Sequence, residues 1–168
     1  MSVAIVHPDG RVELRGRVWR CALGRAGVRE FKVEGDGATP AGVLALRRVL
    51  YRADRVAIPR AGVRREPIGE QDGWCDESGH ADYNRQIRLP HPARHEELWR
   101  RDGLYDVVGV LGYNDAPVVR ERGSAIFLHV ARGDYAPTEG CVALALADVL
   151  ALLEAGVTAF NVLATGRG

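Results

Sequence analysis

Apolar and polar positions alternate with a period near two through the first part of the chain, the mark of half-buried strands. Residues 2–6 form a short apolar run that stops at His7-Pro8-Asp9-Gly10, a strong turn signal. Residues 11–14 and 17–23 alternate as strands do, and residues 31–34 offer a further short strand. Residues 43–51 mix apolar and basic side chains and read as strand rather than helix. Residues 60–92 are rich in Gly, Pro, Arg and Asp with few periodic apolar positions, so a long loop is expected there. A short helix is expected over residues 93–101, with Leu98 and Trp99 on one side. Residues 104–112 and 125–131 are apolar with β-branched or aromatic members, and they are the clearest strands. Residues 144–155 are the clearest helix: Leu146, Val149, Leu150 and Leu153 recur at helical spacing and Gly156 ends it. A strand over 157–163 closes the chain. The pattern predicts a mainly β single domain with a few helices, without internal repeats.

The 168 residues suffice for one core. The chain is 46% hydrophobic and 27% charged, as in ordinary globular proteins, and its net charge of +1 gives no support for a nucleic-acid or membrane-surface role. Lys32 is the sole lysine among 23 basic residues, a bias that reads as genomic composition. The three cysteines, Cys21, Cys75 and Cys141, are too few and odd in number for a disulfide framework. No segment approaches the roughly 20 apolar residues of a membrane helix, and the N-terminus lacks a secretory pattern. A cytoplasmic location is therefore expected, or a periplasmic one if a leader has been removed.

One segment carries candidate chemistry. His129 closes a strong strand, a turn-rich loop follows, and Thr138-Glu139-Gly140-Cys141 stands just before the expected helix. A thiol near a helix start sits in a positive field that favours thiolate. Gly140 leaves room for a substrate carbonyl and frees backbone N–H groups for a developing oxyanion. His129, twelve positions before Cys141, can return as a general base. The residues alone leave another reading open: Cys141 as a small core hydrophobe and His129 as a core histidine bonded to backbone.

His129 followed by Thr138-Glu139-Gly140-Cys141 resembles the signature of the L,D-transpeptidase catalytic domain family, often called YkuD-like: a strand-end His, a variable loop, then Ser/Thr-x-Gly-Cys. Gly35-Asp36-Gly37-Ala38-Thr39-Pro40-Ala41-Gly42 resembles that family's Gly-Asp-Gly-x-Thr-Pro-x-Gly loop. Trp74-Cys75-Asp76, Tyr83-Asn84-Arg85 and the run from Gly123 to His129 resemble segments of one of its branches. The similarity runs from about Gly35 to the C-terminus. Two positions depart from the usual pattern: Glu139 stands where many members have His, and Ala143 where many have Arg or Asn.

The resemblance implies a compact, β-sandwich-like domain of mixed sheets with a cleft beside the cysteine. It also implies a peptidoglycan stem peptide as substrate. Cys141 attacks the carbonyl that joins a diaminopimelate centre to terminal D-Ala, and a thioester forms. Water as acceptor makes an L,D-carboxypeptidase, the expected outcome for a cytoplasmic protein. An amine makes an L,D-transpeptidase, and a non-catalytic muropeptide binder is the third reading. A backbone carbonyl near Val130 is expected to orient His129. Arg132 and Tyr135, on the loop between base and nucleophile, are candidates for holding substrate carboxylates, with Thr138 beside them. An exposed loop arginine is the alternative for Arg132. Trp74, Tyr83, Asn84 and Arg85 are candidates for the far wall of the cleft. His91 and His95 have metal-like spacing, but Pro92 separates them, and with Cys75 and His80 they match no zinc pattern. These histidines read as solvated, no metal or cofactor is expected, and Arg64-Arg65 and Arg100-Arg101 read as surface.

Overall fold

The computed structural model describes residues 1–166. The chain opens with two hairpins. Strand β1 (Val3–His7) pairs antiparallel with β2 (Arg11–Leu14), which pairs with β3 (Arg17–Arg20). Ala4 and Val6 on β1 and Val12 and Leu14 on β2 face the core, as period-two alternation requires. The β2–β3 turn needs left-handed backbone at both central residues, and Arg15 and Gly16 adopt φ of 50° and 78°.

Two-residue strands β4 (Val28–Arg29) and β5 (Thr39–Pro40) pair in parallel. Residues 31–34, expected as a strand, form bends and turns instead. Phe31 is 87% exposed while Lys32 is buried, and the Asp36 carboxylate takes up the Val33 and Ala38 N–H groups, so no ladder is needed there. The ten-residue β6 (Gly42–Tyr51) is the spine of the molecule. It is followed by β7 (Arg65–Pro67), β8 (Asp72–Cys75), β9 (Gln86–Arg88), β10 (His95–Glu97) and β11 (Val107–Leu111). Then come β12 (Phe127–Val130), β13 (Val142–Leu144), helix α1 (Leu146–Glu154) and β14 (Ala159–Val162).

Nine strands form one sheet in the order β13-β12-β11-β6-β14-β1-β2-β3, with β7 also on β6. Every residue of β11 is buried, as expected of a strand covered on both faces. Helix α1 buries Val149, Leu152 and Leu153 and joins the main core with Leu44, Phe160 and Leu128. A second core packs Trp74, Leu98, Tyr105 and Phe127 around Cys141.

Two expectations are corrected. Residues 93–101 form no helix: β10 pairs antiparallel with β8, and the Leu98 N–H donates to Asp72 O. An isolated helix this short is marginal, and the β8 edge offers its hydrogen bonds instead. Residues 60–92 are not one loop, because β7, β8 and β9 lie within them and β8-β9-β10 make a three-stranded sheet. Among the described residues α1 is the one α-helix, and no helix is long and apolar enough to cross a membrane.

Candidate active site

Parallel pairing of β12 and β13 builds the site. Leu128 lies opposite Val142 and His129 opposite Ala143, so Cys141 enters the sheet beside the strand that carries His129. Both side chains line a cavity of about 480 Å³. Cys141 is 7% and His129 6% exposed, so each is reached only through that cavity. The thiol donates to Ala125 O at 3.3 Å and accepts from the Phe127 N–H at 3.4 Å. Among the described residues no hydrogen bond joins it to the imidazole in this resting arrangement.

His129 Nδ1 lies 2.9 Å from Val130 O. A carbonyl only accepts, so Nδ1 carries the proton and Nε2 keeps its lone pair. Burial pushes the imidazole down to about 4, against the Val130 carbonyl, which works the other way. The ring packs edge-on against Tyr105, with centroids 5.3 Å apart. Burial likewise pushes the Cys141 thiol up to about 12, with the Glu96 carboxylate adding to it. The expected thiolate at a helix start is therefore corrected. β13 and Ala145 separate Cys141 from α1, and a helix dipole acts over little more than its first turn. Burial thus favours the thiol and the neutral imidazole over their charged forms.

The turn before the cysteine is held from several sides. The Thr138 hydroxyl donates to Cys141 O at 2.8 Å and accepts the Gly140 N–H at 3.1 Å. Gly140 N–H is thus engaged and is not the open oxyanion donor expected of it. Gly140 has φ +141°, and a Cβ there would meet Ala38 O at 2.7 Å, so the residue must be glycine. Ala38 belongs to the Gly35–Gly42 loop, whose Asp36 carboxylate accepts from Ala38 N–H and Lys32 Nζ, while buried Thr39 accepts the Gly24 N–H. The Thr138 N–H and C=O are in turn bonded to Leu23 O and the Arg25 N–H. Exposed Glu139 pairs with Arg25, and buried Ala143 bridges Ala22.

The remaining expected site residues separate. Arg132 lines the cavity and makes no ion pair among the described residues. Tyr135 does not line it, and its ring lies under the Arg20 guanidinium at 4.2 Å. Trp74, Tyr83 and Asn84 are buried and do not line the cavity, so the expected far wall is corrected to a bracket behind it. Asn84 Oδ1 accepts from Trp74 Nε1 and the Ala125 N–H, both at 3.0 Å, and its Nδ2 donates to Tyr113 O and Asn114 O. Tyr83 donates to Glu34 and accepts the Gly123 N–H. These bonds fix the Gly123–Ala125 approach to β12, where the thiol rests. Arg85 is exposed and outside the cavity.

Residues not expected at the site also line the cavity, among them Lys32, Glu34, Arg94, Glu96, Arg100 and Tyr105. Arg100, read as surface, stacks over Tyr105 at 5.0 Å and pairs with Asp102. The expected helix over 93–101 concealed Arg94, Glu96 and Arg100; the strand β10 sets Glu96 toward the cavity. His80, Asp82 and His91 bring ligand-type atoms within 4.8 Å of one another, and His91 is half-buried and bonded to Asp82 rather than solvated. Each ring's Nδ1 accepts a backbone N–H, from Asp82 and from Ala93. The ring proton then sits on Nε2, where a metal would have to displace it. Hydrogen bonds to Asp82 and to the backbone hold the trio together.

No curated protein matches the chain. The family model of the L,D-transpeptidase catalytic domain, YkuD, matches residues 2–159, which takes in every strand described except the last residues of β14. The match spans almost the whole chain, including His129 and Cys141, and the chain belongs to the L,D-transpeptidase catalytic domain family.

Proposed function

We propose that this peptidoglycan-acting enzyme works through a thioester on Cys141, with His129 as proton carrier. The observation that carries the reading is the pairing of the two side chains in one cavity, with His129 Nδ1 tied to Val130 O and Nε2 left as base. Because thiol and imidazole are both neutral, the proton leaves sulfur as the bond forms rather than beforehand. For this the thiol has to leave Ala125 O and meet Nε2. The sulfur attacks the carbonyl between the L-centre of a diamino acid and D-Ala while Nε2 takes the thiol proton. We assign the Cys141 N–H as donor to the developing oxyanion, since the Gly140 N–H is committed to Thr138. The C–N bond breaks, the imidazolium protonates the leaving amine, and the acyl group stays on sulfur. An acceptor deprotonated by Nε2 then releases it.

Water is the acceptor we favour, making the protein an L,D-carboxypeptidase that trims tetrapeptides to tripeptides. The cavity of about 480 Å³ has the size to seat one donor peptide. A cytoplasmic location suits such trimming of recycled peptides, and cell fractionation tests it. An amine acceptor would make the protein an L,D-transpeptidase. Incubation with a tetrapeptide muropeptide and mass analysis decides between them. Tripeptide plus free D-Ala supports hydrolysis, and a cross-linked dimer or an exchanged D-amino acid overturns it. Absence of an acyl adduct on Cys141 under both conditions overturns the thioester.

A further inference from the structure

The charges around the cavity are unevenly satisfied. Arg94 is held by Asp76, Arg100 by both oxygens of Asp102, and Lys32 by Asp36. Each of these three cations has its own carboxylate, whereas two lining carboxylates, Glu34 and Glu96, form no ion pair among the described residues; Glu34 accepts the Tyr83 and Ser124 hydroxyls instead. Glu96 does not have a cation. Its Oε2 accepts the Tyr105 hydroxyl at 2.8 Å, and among the described residues neither of its oxygens forms an ion pair. It stands on β10, whose backbone is tied to β8, so the carboxyl is held by a ladder rather than by a loop. A half-buried carboxylate bonded only to a neutral hydroxyl carries an uncompensated desolvation cost. Burial accordingly holds the Glu96 carboxyl above its ordinary range. Arg132, which also lines the cavity, is exposed and forms no ion pair among the described residues, so its guanidinium is open to a ligand. A carboxylate with a single hydroxyl partner and an exposed guanidinium, in one cavity beside the thiol, complement a zwitterion.

We propose that Glu96 is a specificity-determining residue that binds an ammonium group of the substrate, the side-chain ammonium of the diamino acid, while Arg132 takes the neighbouring carboxylate. This rests on the stem-peptide reading above. The ammonium supplies the positive charge that Glu96 lacks, and Tyr105 keeps the carboxyl oriented to receive it. Charge-assisted contacts of this kind discriminate strongly, because a ligand without the ammonium leaves the carboxylate desolvated and unpaired.

The test uses the full chain carrying Cys141→Ala, so that binding is read without turnover. Two tetrapeptides are compared by calorimetry, one with a free side-chain amine and one with that amine acetylated. The expected result is that the free-amine peptide binds about 10- to 100-fold more tightly. Adding Glu96→Gln, which keeps an oxygen for Tyr105, should erase that preference and leave the acetylated peptide's affinity unchanged. Equal affinity of the two peptides for the Cys141→Ala protein overturns the proposal alone, as does an equal loss for both on Glu96→Gln. Binding of neither peptide overturns the stem-peptide reading together with it. In turnover by the protein with Cys141 intact, Glu96→Gln should raise KM for the donor. A rise confined to the KM of an added amine acceptor would place the recognised ammonium on the acceptor.

Discussion

At the scale of single residues, burial of both Cys141 and His129 favours their neutral forms over an ion pair. Cys141→Ala removes the proposed nucleophile and should abolish D-Ala release while leaving the fold intact, since the thiol's packing partners are retained. Retention of wild-type turnover would refute the thioester. The buried thiol, pushed up to about 12, should react with iodoacetamide at neutral pH far more slowly than an exposed cysteine. His129→Gln should lower turnover by roughly 10²- to 10⁴-fold, the contribution of a positioned base. It should leave the alkylation profile of Cys141 unchanged, because a neutral imidazole lends the sulfur no charge. A profile moved to higher pH in the variant would mean that an imidazolium partner exists after all. Arg132→Ala should raise KM, costing roughly 1.5–3 kcal/mol for a charge-assisted contact, with alkylation by a small neutral reagent unaltered. Equal kinetics would make Arg132 a loop residue only.

At the scale of elements, the nucleophile is positioned by turns stitched to the N-terminal half. Thr138 satisfies a carbonyl and an N–H within the turn, and Gly140 lets that turn pass under Ala38. Gly140→Ala should therefore destabilise the fold by roughly 1–3 kcal/mol, through strained backbone and the close carbonyl, and should suppress turnover. Thr138→Val, which keeps the side-chain shape, should cost about 1–3 kcal/mol because buried backbone groups lose their partners. Denaturant unfolding of both variants checks this, and unchanged midpoints would show that the turn is not under constraint. The same element explains the Gly35–Gly42 loop. Its Asp36 and Thr39 hold Ala38 and Gly24 in place, and these are the backbone neighbours of the cysteine turn.

At the scale of the whole molecule, burial of His129 couples stability to pH. Its folded value of about 4 lies below the ordinary 6.5. The unfolded chain thus takes up a proton first on acidification. Stability from the neutral buried ring is fully present above pH 6.5 and is lost as pH falls toward about 4, by roughly 3 kcal/mol over that window. His129→Gln should flatten this limb, with melting followed at pH 7 and pH 4.5. An equally steep limb in the variant would assign the acid sensitivity to other groups. Above pH 4 the imidazole stays neutral, so it remains competent as a base well below the usual histidine range.

Periodicity by itself determined the principal strands and the one helix. Period-two burial on β1 and β2, the apolar runs of β11 and β12, and the helical spacing of Leu146, Val149 and Leu153 are local properties that any compact packing must respect. His129 and Cys141 were legible as a pair through their motif. Their protonation states were not, because desolvation depends on what covers a group, and the cover comes from distant strands. Trp74, Tyr83 and Asn84 looked like ligand contacts, since aromatic and amide side chains serve both purposes. Only packing decided that they support Ala125 from behind. Glu96 and Arg100 were hidden by a helical reading of a segment whose hydrogen bonds go to β8. Long-range pairing overrides weak local propensity in so short a stretch, and the cavity's charges could be matched to one another only after that pairing was made.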